Sequence, residues 1–201
     1  MRYFIIALAL LVLAACGKTG EASIRVVMET SEGVIVLALY PDKAPITVKN
    51  FLRYVDEGRY RGAHFYRTTR PDNDPMIVVI QGGLWAPFNE DGDEDFTAPL
   101  APIAHETTEA TGLTHVDGVI SMARVEPGTA SSEFFITIGD NHPLDFGGAR
   151  NPDGQGFAVF GKIVEGMDVV RAINAMPTRE GEGFTGQLLA APVAILSVTR
   201  N

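Results

Sequence analysis

The stretch from Ser131 to Gly139, SSEFFITIG, decides how this chain must fold. Its β-branched and aromatic residues predict a strand. Successive strand side chains point to opposite faces, so Phe134 and Phe135 each need an apolar surface of their own. A strand that covers a single core is greasy on one side only. The second phenylalanine therefore asks for a further surface.

Working outward, the two β-rich runs of IRVVMETSEGVIVLALYPDKAP and then AHFYRTT, IVVIQGG, GVISMAR, GFAVFGKIV and PVAILSV read as strands, which with the opening stretch makes eight. The first two are separated by Ser31, Glu32 and Gly33, a Gly-containing break that predicts a hairpin. Between them and AHFYRTT, the residues Ala44, Val48, Phe51, Leu52 and Val55 recur on one helical face, with Pro45 suited to the first turn and Gly58 to the stop. A second helix is predicted over GMDVVRAINAM. Many short strands and two helices favour a barrel or sandwich over a parallel α/β sheet. In a closed barrel the helices would cover the open ends.

The length of 201 residues suits one domain, and a net charge of −9 argues against a partner with a phosphate backbone, so nucleic acid is dropped. At the N-terminus, Arg2 precedes an apolar run from Tyr3 to Leu13 and small residues that lead into Cys16. That run is short for a membrane span and fits a secretory signal peptide over residues 1–15. LAAC resembles the bacterial lipobox, whose cysteine becomes the lipid-carrying first residue. Cys16 is the only cysteine, so no intramolecular disulfide forms. The expected organisation is a signal peptide (1–15), a lipid-anchored tether (16–22) and one folded domain (23–201). The expected place is the cell envelope, facing the periplasm, with Gly17 after the cysteine favouring the outer membrane.

Asp91, Asp93 and Asp95 begin like a calcium loop, but Phe96 and Pro102 stand where that loop needs glycine and a closing acid. A solvated acidic loop is the better reading. His64, His105, His115 and His142 lack the paired spacing of metal ligands, and no metal or cofactor is expected. There is no G-x-S-x-G elbow and no phosphate-binding glycine loop. Spacing alone leaves a dispersed Ser/His/Asp set open, without anything to motivate it. The glycines of IQGG suit a close backbone approach or a turn.

Five motifs in one order carry more information: FYR at Phe65–Arg67, IQGG at Ile80–Gly83, GVISMAR at Gly118–Arg124, SEFFI at Ser132–Ile136 and FAVFGKIVEGMDVV at Phe157–Val170. Together they resemble the cyclophilin family of peptidyl-prolyl cis/trans isomerases, over roughly Ile24 to Val198. The resemblance implies a mainly β fold, a closed eight-stranded antiparallel barrel capped by two α-helices, with its active groove on the barrel's outer flank. Phe134 would then face the interior and Phe135 would floor a pocket for proline. It further implies Arg67 and Gln81 as catalytic residues, with Phe65, Val78, Val79, Ala123, Arg124, Glu133, Phe135, Leu144 and Phe157 binding substrate. Loop TRPDNDPM makes Val78 a weaker assignment than Val79.

The implied function is isomerisation of X-Pro bonds in unfolded or flexible polypeptides outside the cytoplasm, by a monomer. Four departures stand out. Glu133 replaces a glutamine and could pair with Arg67, damping it; Arg124 adds a charge at the rim; Pro143 stands where relatives carry an aromatic; Phe157 replaces a histidine. Weak cyclosporin binding is expected from the lost aromatic wall. Glu133 and Pro143 keep open a proline-peptide-binding chaperone module with little or no turnover. A hydrolase or calcium-binding lipoprotein sited in residues 82–117 is a third option.

Overall fold

The computed structural model describes residues 22–85, 96–181 and 184–201. The leader over residues 1–15, Cys16 and the acidic residues Asp91, Asp93 and Asp95 lie outside them. Strands β1 (Ile24–Thr30) and β2 (Gly33–Leu39) form the expected hairpin, tightened by one residue because Gly33 pairs directly with Thr30. Helix α1 (Pro45–Asp56) follows, burying Val48, Phe51, Leu52 and Val55, the stripe that its sequence spacing predicts. Ala44 offers no capping side chain, so a distant carboxylate serves instead. Glu106 accepts from the backbone N–H of Ile46 (3.1 Å) and of Thr47 (2.8 Å), where the helix dipole favours a negative charge.

The remaining strands are β3 (His64–Thr69), β4 (Val79–Gly83), β5 (Val119–Met122), β6 (Phe134–Thr137), β7 (Ala158–Glu165), the two-residue β8 (Thr178–Arg179) and β9 (Leu188–Arg200). A single helical turn, α2 (Thr108–Thr111), interrupts the long excursion, and α3 (Met167–Asn174) precedes β8. Hydrogen bonds run in the order β1-β2-β7-β5-β6-β4-β3-β9, and β9 returns to pair with β1. All pairings are antiparallel. Eight strands thus close a barrel, leaving no free sheet edge among them, while β8 is an addition to the start of β9.

Inside, Phe134 is fully buried and meets Phe51, Tyr60 and Phe65 edge to face at 5.8, 5.6 and 5.7 Å. The serines of SSEFFITIG hold the polar tips of this aromatic cluster. Ser131 Oγ lies 2.8 Å from the Tyr54 hydroxyl, and the Ser132 carbonyl accepts from Tyr60 at 3.1 Å. Helix α1 packs over β7 and β9, and α3 over β2, β3 and β4.

Candidate active site

One row of residues crosses four strands on the outside of the barrel. Register pairs Arg67 of β3 with Gln81 of β4, Gln81 with Phe135 of β6, and Phe135 with Ser121 of β5. The neighbouring row, Gly82, Phe134 and Met122, points inward. Arg67 reaches the outer row through an irregularity in β3: Phe65 pairs with Gly82 and Arg67 with Gln81, so Tyr66 is an extra residue, a β-bulge. Without it, strict alternation would leave Phe65 and Arg67 on the same face.

Phe135 anchors a small apolar cluster separate from the barrel core, with Ile77, Val79 and Leu144 buried and Ala123 and Phe157 half-buried against it. Phe157 stands edge-on to the Phe135 ring at 5.3 Å. These residues floor a cavity of about 220 Å³ whose rim carries Arg67, Gln81 and Arg124. A larger cavity of about 570 Å³ adjoins it past Gln81, Ala123 and Arg124, and is lined by Tyr66, Ser132 and Glu133.

The Arg67 guanidinium is held in place from two sides. Nη1 donates to Gln81 Oε1 at 2.7 Å, while Nε and Nη2 donate to Gln187 Oε1 at 2.9 and 2.6 Å. The Phe184 ring lies 5.2 Å from its central carbon. Both hydrogen-bond acceptors are neutral amides, so no carboxylate among them cancels the charge. Guanidinium has five N–H donors, and these bonds leave two over. Burial pulls the group below its ordinary value, and the neighbouring cation Arg150 adds to that, without threatening a charge this basic.

A positively charged fork over an apolar hollow on a barrel's flank is the arrangement implied by the five ordered motifs. Residues 25–200 match the family described as cyclophilin type peptidyl-prolyl cis-trans isomerase/CLD. The chain belongs to the cyclophilins. It is 39% identical to a peptidyl-prolyl cis-trans isomerase of Acinetobacter baylyi over 88% of this chain and 85% of that one. With peptidyl-prolyl cis-trans isomerase B of Escherichia coli K12 the identity is 38%, over 87% and 98%. A crystal structure of a cyclophilin type isomerase from Cryptosporidium parvum shares the fold, with a TM-score of 0.67 at 20% identity over 90% of this chain and 98% of the other. This cyclophilin is a peptidyl-prolyl cis-trans isomerase, and the barrel expected for it is the one observed.

The structure brings Arg67, Gln81, Val79, Ala123, Arg124, Phe135, Leu144 and Phe157 around one cavity. It does not bring Phe65 there. That ring is in the barrel interior against Phe134, because the bulge at Tyr66 separates it from the face Arg67 occupies. Val78 is also displaced. Its backbone N–H donates to Asn141 Oδ1 at 2.7 Å and its carbonyl accepts from Ile138, while Ile77 supplies the pocket side chain that Val78 was expected to give. Arg124 is no loose rim charge: its side chain is 1% exposed, bidentate to Asp153 at 2.8 and 2.9 Å, and lies over Phe157.

Glu133 requires the largest correction, because it does not pair with Arg67. Its carboxylate accepts from the backbone N–H of Leu84 (2.8 Å) and Trp85 (3.0 Å), from Ser132 Oγ (3.0 Å) and from the Tyr66 hydroxyl (2.8 Å). Gly83 makes this possible, since a side chain at that position would collide with the carboxylate. Burial pushes the Glu133 carboxyl up, against the opposing pull of its four donors. Burial and the adjacent Glu133 charge push the Tyr66 phenol well above its usual range, so Tyr66 stays a donor.

The direction of a whole chain of bonds follows. Tyr66 donates to Glu133, its oxygen accepts from Gln81 Nε2 at 2.8 Å, and Gln81 Oε1 is left to accept from Arg67. An ionised carboxylate only accepts. Glu133 thereby sets the polarity of the Gln81 amide and supports Arg67 through two intermediaries, opposite to the damping expected of it.

A Ser/His/Asp set does assemble behind the pocket floor. His115 Nε2 lies 2.9 Å from Ser121 Oγ, and Nδ1 2.7 Å from Asp145 Oδ1. Both Ser121 and His115 are fully buried, and the His115 ring stacks on Phe135 at 5.7 Å. No substrate reaches that hydroxyl, so the set braces the floor and is not a hydrolase site. Burial lowers the His115 value despite the Asp145 carboxylate, which keeps the imidazole neutral, with Nδ1–H donating to Asp145 and Nε2 accepting from Ser121.

Tyr66, Gln187, Phe184, Ile77, Arg150 and Asn151 escape a reading of the sequence. Tyr66 had a signal: it stands beside Arg67 in the FYR motif. Gln187 had none, being 120 positions from the arginine it holds.

Proposed function

We infer that this cyclophilin works outside the cytoplasm as a lipid-anchored monomer that accelerates rotation about X-Pro bonds in unfolded or flexible polypeptides. The observation that carries the catalytic part is the Arg67 fork, held by neutral amides at the rim of the Phe135 hollow with two N–H groups to spare.

Resonance gives the peptide bond a rotational barrier of about 18–20 kcal/mol, and X-Pro bonds populate both isomers. The proline ring seats on Phe135, Val79 and Leu144, which fixes one side of the bond. As the bond twists out of conjugation, a lone pair localises on the prolyl nitrogen. A donor from Arg67 aimed at that nitrogen stabilises the twisted state more than either planar isomer, which is the condition for lowering the barrier. Gln81 and Gln187 hold the fork so that it need not reorganise during the turn.

In a protease-coupled assay on Xaa-Pro peptides, Arg67→Ala should lower kcat/KM by about 10²–10³-fold, the usual loss for one preorganised donor, with a folded circular dichroism spectrum. Binding of the peptide without any acceleration by the wild-type protein would instead make the groove a chaperone-like module.

The envelope location rests on the apolar leader and on Cys16. Attachment is assigned to Cys16 on the resemblance of LAAC to the lipobox. Mass spectrometry of the mature N-terminus decides this: a diacylglyceryl cysteine at position 16 supports the anchor, and an unmodified Cys16 removes it. Membrane fractionation then separates the inner from the outer membrane, the latter being favoured by Gly17.

A further inference from the structure

The wall of the proline pocket that faces solvent is built by two loops remote in sequence, residues 70–78 and 146–156. They meet through Arg150, whose Nη1 lies 3.2 Å from Asp74 Oδ2. Asp74 is held rigidly, its side chain 5% exposed, its Oδ1 accepting from the Met76 N–H and its own N–H donating to Arg70. Arg150 is itself fixed by a backbone bond to the Pro143 carbonyl at 3.0 Å. Pro143, the position of the lost aromatic wall, does not line the cavity; Arg150 and Asn151 do.

Two features of this wall are unused by the fold. The Nδ2 of Asn151 is buried yet, among the described residues, has no acceptor. A buried donor without a partner is costly, and such groups are rare in folded proteins. Among the described residues Arg150 makes one ion-pair contact, to Asp74, leaving most of its fork over. It also sits close enough to Arg67 to depress that group's basicity. In a protein of net charge −9, this cavity is thus lined by three cations, Arg67, Arg124 and Arg150, of which Arg124 is bidentate to Asp153, and by an orphan amide donor.

We propose that Arg150 and Asn151 read the peptide beside the proline, the Asn151 amide turning toward the cavity so that Nδ2 donates to a backbone carbonyl and Arg150 pairing with an acidic side chain adjoining the proline. The proposal rests on the reading that the pocket seats a proline ring beside Arg67. It makes this wall a specificity determinant for Xaa-Pro segments flanked by Asp or Glu.

The test uses the full chain and matched peptides with Glu, Gln or Lys immediately before or immediately after the proline. The wild-type protein should favour Glu over Gln about threefold to tenfold in kcat/KM at one of those positions, with the ratio shrinking as salt is raised. Arg150→Gln should abolish the ratio and Arg150→Lys should retain part of it. Asp74→Asn separates reading from mere bracing. A structural clasp predicts that it acts like Arg150→Gln, whereas a substrate reader freed of its internal partner predicts a larger preference for Glu. Asn151→Ala should lower kcat/KM about fivefold to tenfold for all the peptides alike. Equal rates with Glu and Gln at both positions, in a protein that does isomerise them, overturn the proposal. No acceleration of any peptide would overturn the catalytic reading beneath it.

Discussion

The two faces of β6 differ in how completely they are packed. On the inner face, Phe134 is fully buried and enclosed by the rings of Phe51, Tyr60 and Phe65. On the outer face, Phe135 has a ring beside it and an imidazole stacked behind it, but its remaining side opens on a cavity rimmed by cations and amides. Neighbouring residues of the same type on one strand thus hold different tasks. The inner face stabilises the barrel, and the outer one keeps a preformed apolar seat next to a fixed charge.

The contrast is most exposed to failure at the two phenylalanines. Phe134→Ala should destabilise the protein by about 3–5 kcal/mol in urea unfolding, while the protein that remains folded keeps its kcat/KM. Phe135→Ala should cost less, about 2–3 kcal/mol, because the adjoining cavity already admits water, yet it should raise KM for proline peptides sharply. If both substitutions lower stability and activity in the same proportion, the division between the faces is wrong.

A finer version concerns the polar relay. Tyr66→Phe removes both the donor to Glu133 and the acceptor of Gln81, so kcat should drop about tenfold with a smaller change in KM. Glu133→Gln should lower kcat less, since an amide oxygen can still accept from Tyr66, but its NH₂ cannot accept from the N–H groups of Leu84 and Trp85. Unchanged kinetics in both variants would reduce the relay to packing.

The smallest expected effect is on pH dependence. His115 has its value lowered in the folded protein by burial, against 6.5 when unfolded. Its contribution to stability is present above 6.5 and is lost as pH falls through the depressed folded value, because protons bind the unfolded chain first. His142, exposed and raised by its bond to Asp145, works in the opposite direction, with a contribution present below 6.5 and lost as pH rises. Urea midpoints measured downward from pH 7.5 should fall more steeply for the wild-type protein than for His115→Gln, in which His142 is unchanged. Parallel slopes would mean that His115 is not the group that titrates.

Strands, the α1 stripe and the opposite faces of Phe134 and Phe135 were legible because they depend on periods of two and 3.6 residues, which a chain displays locally, while the resemblance implied which of the two faces was the interior. The family motifs likewise marked Arg67, Gln81 and Phe135, which register then aligned in one row. What surrounds them was not legible. The bulge at Tyr66 moves Phe65 inward and Arg67 outward, and no residue type announces a one-residue slip in register. Gln187 reaches Arg67 because β3 and β9 pair out of step there, with the Thr68 N–H bonded to the Gln187 carbonyl at 2.8 Å. Glu133 was read as a partner for the nearest cation, whereas the backbone N–H groups released at Gly83 and the Tyr66 hydroxyl claimed it first. Sequence alone determined that neighbouring residues of a regular strand face opposite ways, since alternation is a property of each strand by itself. Only the closed tertiary structure decided which polar atoms meet, because that depends on register, bulges and loops brought together across more than a hundred residues.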